Sequence, residues 1–336
     1  MIIQLEKNIK ASQKEAIVER INSLKFKTNP VKTQLNDYLI ATGNPEIDIR
    51  ELGQLEGIKD LHVVSDSYQL VSNKWKVHPT QIDLGDEVKI GQGHFSVMAG
   101  PCSIEGEENI QQTIDHLVAN GISIMRGGVY KPRSSPYSFR GLGIEGLKLW
   151  YEKARAAGLK IITEVMQVSQ IEQMYDYVDI FQVGARNTQN FNLLDELGKA
   201  DKAVMIKRGI SGTIDELLYS AEYVFSGGNE KILLCERGIR TYEKASRNTF
   251  DINAIPLLKE KTHLPVIADP SHGIGIRDHV EPVALAAVMA GADGVIYETH
   301  CQPEKAFSDG QQTLDFNQSE RLVKKMNAAY NMREEF

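Results

Sequence analysis

Eight apolar runs, set at close to even spacing between residues 95 and 300, constrain this chain more than any other feature. They read F-S-V-M-A-G (95–100), I-S-I-M-R (122–126), K-I-I-T-E-V (160–165) and I-F-Q-V-G-A (180–185), followed by A-V-M-I-K-R (203–208), K-I-L-L-C-E-R (231–237), P-V-I-A-D-P (265–270) and G-V-I-Y-E-T-H (294–300). Short, nearly continuous hydrophobic stretches are what strands buried on both faces require. Between them lie helix-period segments such as E-G-L-K-L-W-Y-E-K-A-R-A-A-G and H-V-E-P-V-A-L-A-A-V-M-A-G, each closing on a glycine suited to a helix C-terminus, and a further helical pattern covers 318–331. Eight strand–helix pairs in about 240 residues is the count of a (β/α)8 barrel. A doubly wound open sheet is the alternative, but no G-x-G-x-x-G follows the first strand.

Residues 1–75 carry a different pattern. Residues 2–5 read as a strand and 13–24 as an amphipathic helix with Ser12 as its N-cap; 31–35 and 38–42 read as strands around an Asn36-Asp37 turn, 49–55 as a helix and 60–64 as a fourth strand. This β-α-β-β-α-β order is the split, ferredoxin-like arrangement. It holds no catalytic constellation, so an effector-binding or subunit-contact module, or simple packing, is expected. Residues 76–94 form a connector with a short hairpin, Ile82, Leu84, Val88 and Ile90 flanking Gly85-Asp86. The expected fold class is therefore α/β, a TIM barrel over 95–336 preceded by a small α+β ferredoxin-like (ACT-like) domain.

A net charge of -7 argues against nucleic acid or a membrane surface as partner. Three cysteines without framework spacing, no signal-like N-terminus and no bilayer-length apolar run suggest a soluble cytoplasmic protein with reduced thiols.

Against that acidic background the cations are local. The stretch I-S-I-M-R-G-G-V-Y-K-P-R-S-S-P (122–136) places Arg126, Lys131 and Arg133 close together, with Ser134 and Ser135 as hydroxyl donors and Pro132 stiffening the approach. Arg186 follows the fourth strand, Lys207 and Arg208 end the fifth, and Glu236 and Arg237 end the sixth; Glu164 ends the third, Asp269 and His272 the seventh, Glu298 and His300 the eighth. On a barrel these ends converge on the C-terminal mouth, where active sites lie. A rim of salt bridges explains some of them. Arg126, Lys131, Arg133, Arg186, Lys207 and Arg237 together suit two or more anionic groups, most economically phosphates and a carboxylate. Cys102, His272, Glu298 and Asp309 make a mixed S/N/O set that suits a divalent transition metal, whereas singly Cys102 reads as a small buried residue and His272 as a turn histidine. Cys235 and Cys301 read as structural.

The segments A-G-P-C-S, R-G-G-V-Y-K-P-R-S-S, V-G-A-R-N, M-I-K-R-G, C-E-R-G and A-D-P-S-H-G, in that order, make the chain from about residue 95 onward similar to 3-deoxy-D-arabino-heptulosonate-7-phosphate (DAHP) synthases of the type I beta subgroup. Some members carry an N-terminal ferredoxin-like regulatory module, which the first 75 residues resemble, and others a chorismate mutase domain, which would need long helices. The resemblance implies a transferase of the shikimate pathway condensing phosphoenolpyruvate with erythrose 4-phosphate and releasing phosphate. It implies that Arg126, Lys131 and Lys207 hold the phosphoenolpyruvate carboxylate, and that Arg186, Arg237 and the Ala185 amide hold its phosphate. Arg133 and Ser134, steered by Pro132, would take the sugar phosphate. Cys102, His272, Glu298 and Asp309 would be ligands of a divalent metal, Mn2+ before Fe2+, Co2+, Zn2+ or Cd2+. Catalysis would rest on Lys131, Cys102 and His272, with Lys131 and a water on the metal both open as proton carriers. Feedback control by tyrosine or phenylalanine, through closure of the N-terminal module over the barrel mouth, and a homotetramer are further expectations. The nearest rival is 3-deoxy-D-manno-octulosonate-8-phosphate synthase, which uses arabinose 5-phosphate; it typically reads K-A-N-R-S-S where this chain has K-P-R-S-S, and many relatives on that side replace the cysteine by Asn. A non-catalytic scaffold would have lost ligands or cations, and a class II aldolase would supply several metal histidines.

Overall fold

The computed structural model describes residues 1–43, 49–76, 78–131, 137 and 139–335. The N-terminal unit runs β1 (Ile2–Leu5), α1 (Ala11–Ser23), β2 (Lys27–Lys32), β3 (Asp37–Thr42), α2 (Ile49–Gly53) and β4 (Ile58–His62). Its sheet has the order β2-β3-β1-β4 with antiparallel neighbours, the ferredoxin-like arrangement. Ile3, Leu5 and Leu39 from the sheet and Ile17, Ile21 and Leu52 from the helices form a small core of their own. The cap of α1 is Lys10 instead of Ser12: the Gln13 side chain reaches back to accept from the Lys10 amide at 3.0 Å, so the helix starts earlier and Ser12 falls inside its first turn.

The connector hairpin, β5 (Gln81–Asp83) and β6 (Lys89–Gly91), does more than lead into the barrel. Ile82 and Ile90 insert among Met98, Ile124, Ile162, Ile180, Met205, Leu233, Ile267 and Ile296, the side chains that fill the barrel interior. Lys160, at the first residue of a barrel strand, holds the hairpin turn through Asp86 at 2.7 Å. The hairpin therefore plugs the N-terminal end, and the mouth is left at the other.

All eight expected strands form: β7 (Ser96–Gly100), β8 (Ile124–Gly127), β9 (Lys160–Val165), β10 (Ile180–Val183), β11 (Ala203–Lys207), β12 (Ile232–Glu236), β13 (Val266–Ala268) and β14 (Gly294–Glu298). They pair in parallel and close into a barrel, β14 beside β7. Around it pack α3 (Glu107–Ala119), α4 (Gly143–Ala156), α5 (Val168–Met174), α6 (Phe191–Lys199), α7 (Ile214–Ser226), α8 (Ala254–Lys261), the short α9 (Pro270–Ile274), α10 (Arg277–Met289) and α11 (Phe316–Glu334). The (β/α)8 barrel with its small N-terminal α+β unit is thus the observed architecture. Among the described residues no helix is long and apolar enough to cross a membrane.

The N-terminal unit does not close over the mouth of its own barrel. It docks at the opposite end, where Glu230, just before β12, is buried and accepts from Thr33 Oγ1, Asn36 Nδ2 (3.2 Å) and Tyr38 Oη (3.3 Å). Tyr38 also packs edge-on against Trp75 and Phe225, and Trp75 against His263, with ring centroids 5.5, 6.2 and 5.6 Å apart. The reason is local: a buried carboxylate needs several donors, and the β2–β3 turn with the start of β3 supplies three of them at this corner.

His263 links the connector to the barrel. Its Nε2–H donates to the Leu70 carbonyl at 2.8 Å, so Nδ1 is left to accept from the Thr80 hydroxyl at 2.7 Å, and that hydroxyl oxygen accepts from Lys76 Nζ at 2.8 Å. Burial first, and the Lys76 charge second, hold the imidazole down to about 3 from its ordinary 6.5. A group depressed in the folded state contributes stability above its unfolded pKa and loses it as pH falls toward the folded one. Between pH 7.5 and 5.0 urea unfolding should therefore register a loss of about 2 kcal/mol from this site. His263→Gln should show a correspondingly smaller drop, and an equal drop in both proteins would mean that His263 titrates normally.

Candidate active site

The strand ends gather their charges as parallel strands in a barrel must. Arg126 (β8), Glu164 (β9), Gln182 (β10) and Lys207 (β11) join Lys131, Ala185, Arg186, Arg237 and Asp309 from loops and His272 from α9 in lining one pocket at the mouth. Five of the six expected cations are there; Arg133, with Pro132, Ser134 and Ser135, lies outside the described residues.

These cations differ in what already holds them. Arg126 is buried and donates to the Pro101 carbonyl at 2.8 Å and to Glu298 Oε1 at 3.2 Å. Lys207 is buried against Asp269 Oδ2 at 2.6 Å. Arg237 is only 6% exposed, yet among the described residues it has no carboxylate partner and donates only to the neighbouring Gly238 carbonyl at 3.3 Å. Burial accordingly pushes its guanidinium below the usual range, with the more distant Asp269 partly opposing. Arg186 stands exposed at the rim with no ion pair among the described residues. A buried, unpaired guanidinium is costly unless an anion completes it. The rim salt bridges are also real: Arg208, next to Lys207 but on the other side of the strand, donates to Glu236 Oε2 at 2.9 Å, Asp251 Oδ2 at 2.8 Å and the Gly212 carbonyl at 2.9 Å. His300 likewise turns away, to Glu105 and Asn109.

The Cys102 sulfur and carboxylate oxygens of Glu298 and Asp309 lie within 4.8 Å of one another. Cys102 Sγ is 3.1 Å from Asp309 Oδ2, and His272 Nε2 stands at the edge of this group of three, 3.3 Å from Glu298 Oε1. Asp269 caps α9 by accepting from the His272 amide at 3.0 Å, while its other oxygen lies 2.8 Å from His272 Nδ1, which leaves Nε2 free to face the cluster. Gln312 Nε2 donates to the second oxygen of Glu298 at 2.9 Å. Lys131 Nζ is 2.8 Å from the Cys102 carbonyl and 3.0 Å from its sulfur, at the seam between cluster and pocket. Burial, then the Glu298 carboxylate, push the Cys102 thiol up to about 12, with Lys131 opposing. Burial works against the Asp309 carboxylate, but His272, Arg247 and the Cys102 hydrogen bond hold it well below the usual range. A soft sulfur, an oriented imidazole and two carboxylates fit a divalent transition metal by their chemistry.

Arg240, Arg247 and Asn248 also line the pocket and are absent from the expected set. Their signal was present in R-G-I-R-T-Y-E-K-A-S-R-N, two further arginines downstream of Arg237, but a loop without periodicity does not say which side chains turn inward. Cys235 is buried in the barrel interior, and Cys301 is half-buried beside His300.

The DAHP synthetase I family model matches residues 74–335. A phospho-2-dehydro-3-deoxyheptonate aldolase of Thermotoga maritima is 44% identical over 327 residues, covering 97% of this chain and 96% of its own. A 2-dehydro-3-deoxyphosphooctonate aldolase of Geobacter sulfurreducens is 30% identical over 269 residues, 74% of this chain and 97% of its own. Among solved structures, the crystal structure of the Thermotoga maritima phospho-2-dehydro-3-deoxyheptonate aldolase (DAHP synthase) superposes with a TM-score of 0.79 at 42% identity, covering 98% of this chain and 97% of that one. A truncated form of 3-deoxy-D-arabino-heptulosonate 7-phosphate synthase from Thermotoga maritima superposes with a TM-score of 0.74 at 46% identity, covering 80% and 98%.

Asp269→Asn removes the counter-charge of Lys207 and lets an amide donor face His272 Nδ1. Removing one partner of a buried pair costs about 3–5 kcal/mol, and denaturant unfolding of the variant should register a loss of that order. A loss below about 1 kcal/mol would mean that water or a neutral lysine replaces the carboxylate at little cost.

Proposed function

The chain belongs to the DAHP synthetase I family and is an enzyme of that class, and from this premise we propose that it condenses phosphoenolpyruvate with erythrose 4-phosphate to give 3-deoxy-D-arabino-heptulosonate 7-phosphate and phosphate. The observation that carries the reading is Arg237, a buried guanidinium lining the mouth without a carboxylate partner among the described residues. With Arg186 and the Ala185 amide it holds the phosphate of phosphoenolpyruvate. Arg126, Lys131 and Lys207 hold the carboxylate, and Arg133, Ser134 and Pro132 take the phosphate of the sugar.

Fixed cations offset the mutual repulsion of two phosphates and a carboxylate, so C3 of phosphoenolpyruvate can sit against the aldehyde carbon. When C3 attacks, a C–C bond forms and the aldehyde oxygen takes a proton to become a hydroxyl. Lys131 is the donor we favour, because its Nζ lies 3.0 Å from Cys102 Sγ, beside both the pocket and the cluster. Water adds at C2 and loses a proton, the bond from C2 to the phosphate oxygen breaks, and a ketone and inorganic phosphate remain. Cys102, His272, Glu298 and Asp309 would hold a divalent metal, manganese before iron, cobalt, zinc or cadmium, whose Lewis acidity draws electron density from the aldehyde. Asp269 keeps His272 in the tautomer that such a ligand needs.

Residues 1–75 are proposed as the regulatory unit, sensing tyrosine or phenylalanine in a cytoplasmic homotetramer. Because that unit docks beneath its own barrel, control would pass along α7, whose Phe225 and Glu222 meet the unit at Tyr38, Leu70 and Val71 and whose N-terminus adjoins the Gly209–Gly212 loop at the mouth.

Phosphate release from phosphoenolpyruvate, measured with erythrose 4-phosphate and with arabinose 5-phosphate, each with and without EDTA, tests the substrate and metal together. Turnover is expected with erythrose 4-phosphate alone, lost in chelator and restored by Mn2+. A preference for arabinose 5-phosphate would move the chain to the octulosonate reaction, and activity surviving exhaustive chelation would remove the metal from the mechanism. Deleting residues 1–64, which spares Leu70, Val71 and Trp75 in the barrel contact, should leave turnover intact and abolish inhibition by tyrosine or phenylalanine. Inhibition that persists in the shortened chain would locate the effector site elsewhere.

A further inference from the structure

The loop between β12 and α8 contributes more than lining. It is closed at its neck by paired backbone hydrogen bonds between Ile239 and Thr249, 2.9 Å in each direction, and by the Thr241 and Thr249 hydroxyls at 2.6 Å. Its far side is stapled to α9: the Arg247 amide donates to the Ile274 carbonyl at 3.1 Å, and Asn248 Nδ2 donates to the His272 carbonyl at 2.9 Å. The Arg247 stem runs over Gly275, where a Cβ would stand 2.4 Å from Arg247 Cβ and where φ is +71°. That packing aims the guanidinium at Asp309, with Nη1 3.2 Å from Oδ1, while Oδ2 faces Cys102 Sγ at 3.1 Å. Asp309 itself has φ +55°, an uncommon conformation for a residue with a side chain.

We propose that Arg247 is a positioning residue for Asp309, taking one carboxylate oxygen so that the other is turned into the Cys102–His272–Glu298 cluster; this rests on reading that cluster as a metal site. As an isolated surface ion pair, with the Arg247 side chain 39% exposed, the contact would matter little. As an outer partner of a ligand it matters more, because it fixes which oxygen points inward, and such partners typically change metal affinity 10–100-fold.

The test is a titration of chelator-stripped protein with Co2+, following the thiolate-to-cobalt charge-transfer band. Arg247→Met retains an apolar stem over Gly275 and loses the charge and its N–H donors, and it should bind Co2+ about 10–100-fold more weakly than the wild type. Arg247→Lys should recover part of the loss, since an ammonium can reach one oxygen without the fork. Wild-type affinity in Arg247→Met would reduce the residue to a packing element, and tighter binding would mean that the guanidinium competes with the ion; either overturns the proposal. A wild-type protein without the band, or Cys102→Ser that retains it, would instead overturn the metal-site reading on which the proposal stands.

Discussion

One carboxylate, Asp269, holds the two halves of the mouth together. It is buried, and the desolvation that this imposes is offset by donors from both sides: the Lys207 ammonium, the His272 backbone amide and the His272 ring. Burial alone would raise its pKa, and His272 and Lys207 together hold it well below the usual range instead. Any change in its charge is felt by a pocket cation and by a cluster ligand at once. The two sites are therefore one electrostatic unit, and the seventh strand, which ends one residue before Asp269, is the part of the barrel on which both depend.

Around that unit the cations divide by need. Arg208 is satisfied by Glu236 and Asp251, so it fixes loops and contributes structure. Arg237 is buried without such a partner among the described residues, and Arg186 waits at the rim. Concentrating unpaired positive charge in a chain with a net charge of -7 needs a rigid frame. The hairpin plug at the opposite end, with Ile82 and Ile90 sealing the interior, helps to supply that frame.

The barrel was legible because each strand is buried on both faces and is therefore apolar along nearly its whole length, a local property of sequence. Cys102, His272, Glu298 and Asp309 were legible as donors; the structure clusters Cys102, Glu298 and Asp309 and sets His272 beside Glu298. Ser12 has the residue type of a helix cap, but the Gln13 side chain bonds back to Lys10 and the helix is capped there. The docking end of the N-terminal unit was not legible, because it turns on Glu230, which no local pattern marks as buried. Arg247 and Asn248 were missed for a related reason: a closed loop has no period from which to read an inward side.

Lys207 ends β11 and Arg208 follows it, and the alternation carried on from the strand sends one into the pocket and the other outward to Glu236 and Asp251. Their identities are thus tied to the parity of the strand as well as to their chemistry. A single-residue insertion or deletion between Ala203 and Lys207 would exchange the two, presenting a fork where a point charge belongs and stripping the outer loops of their anchor. By this geometry a substitution in the segment alters one side chain, whereas a change in length alters which chemistry faces the pocket.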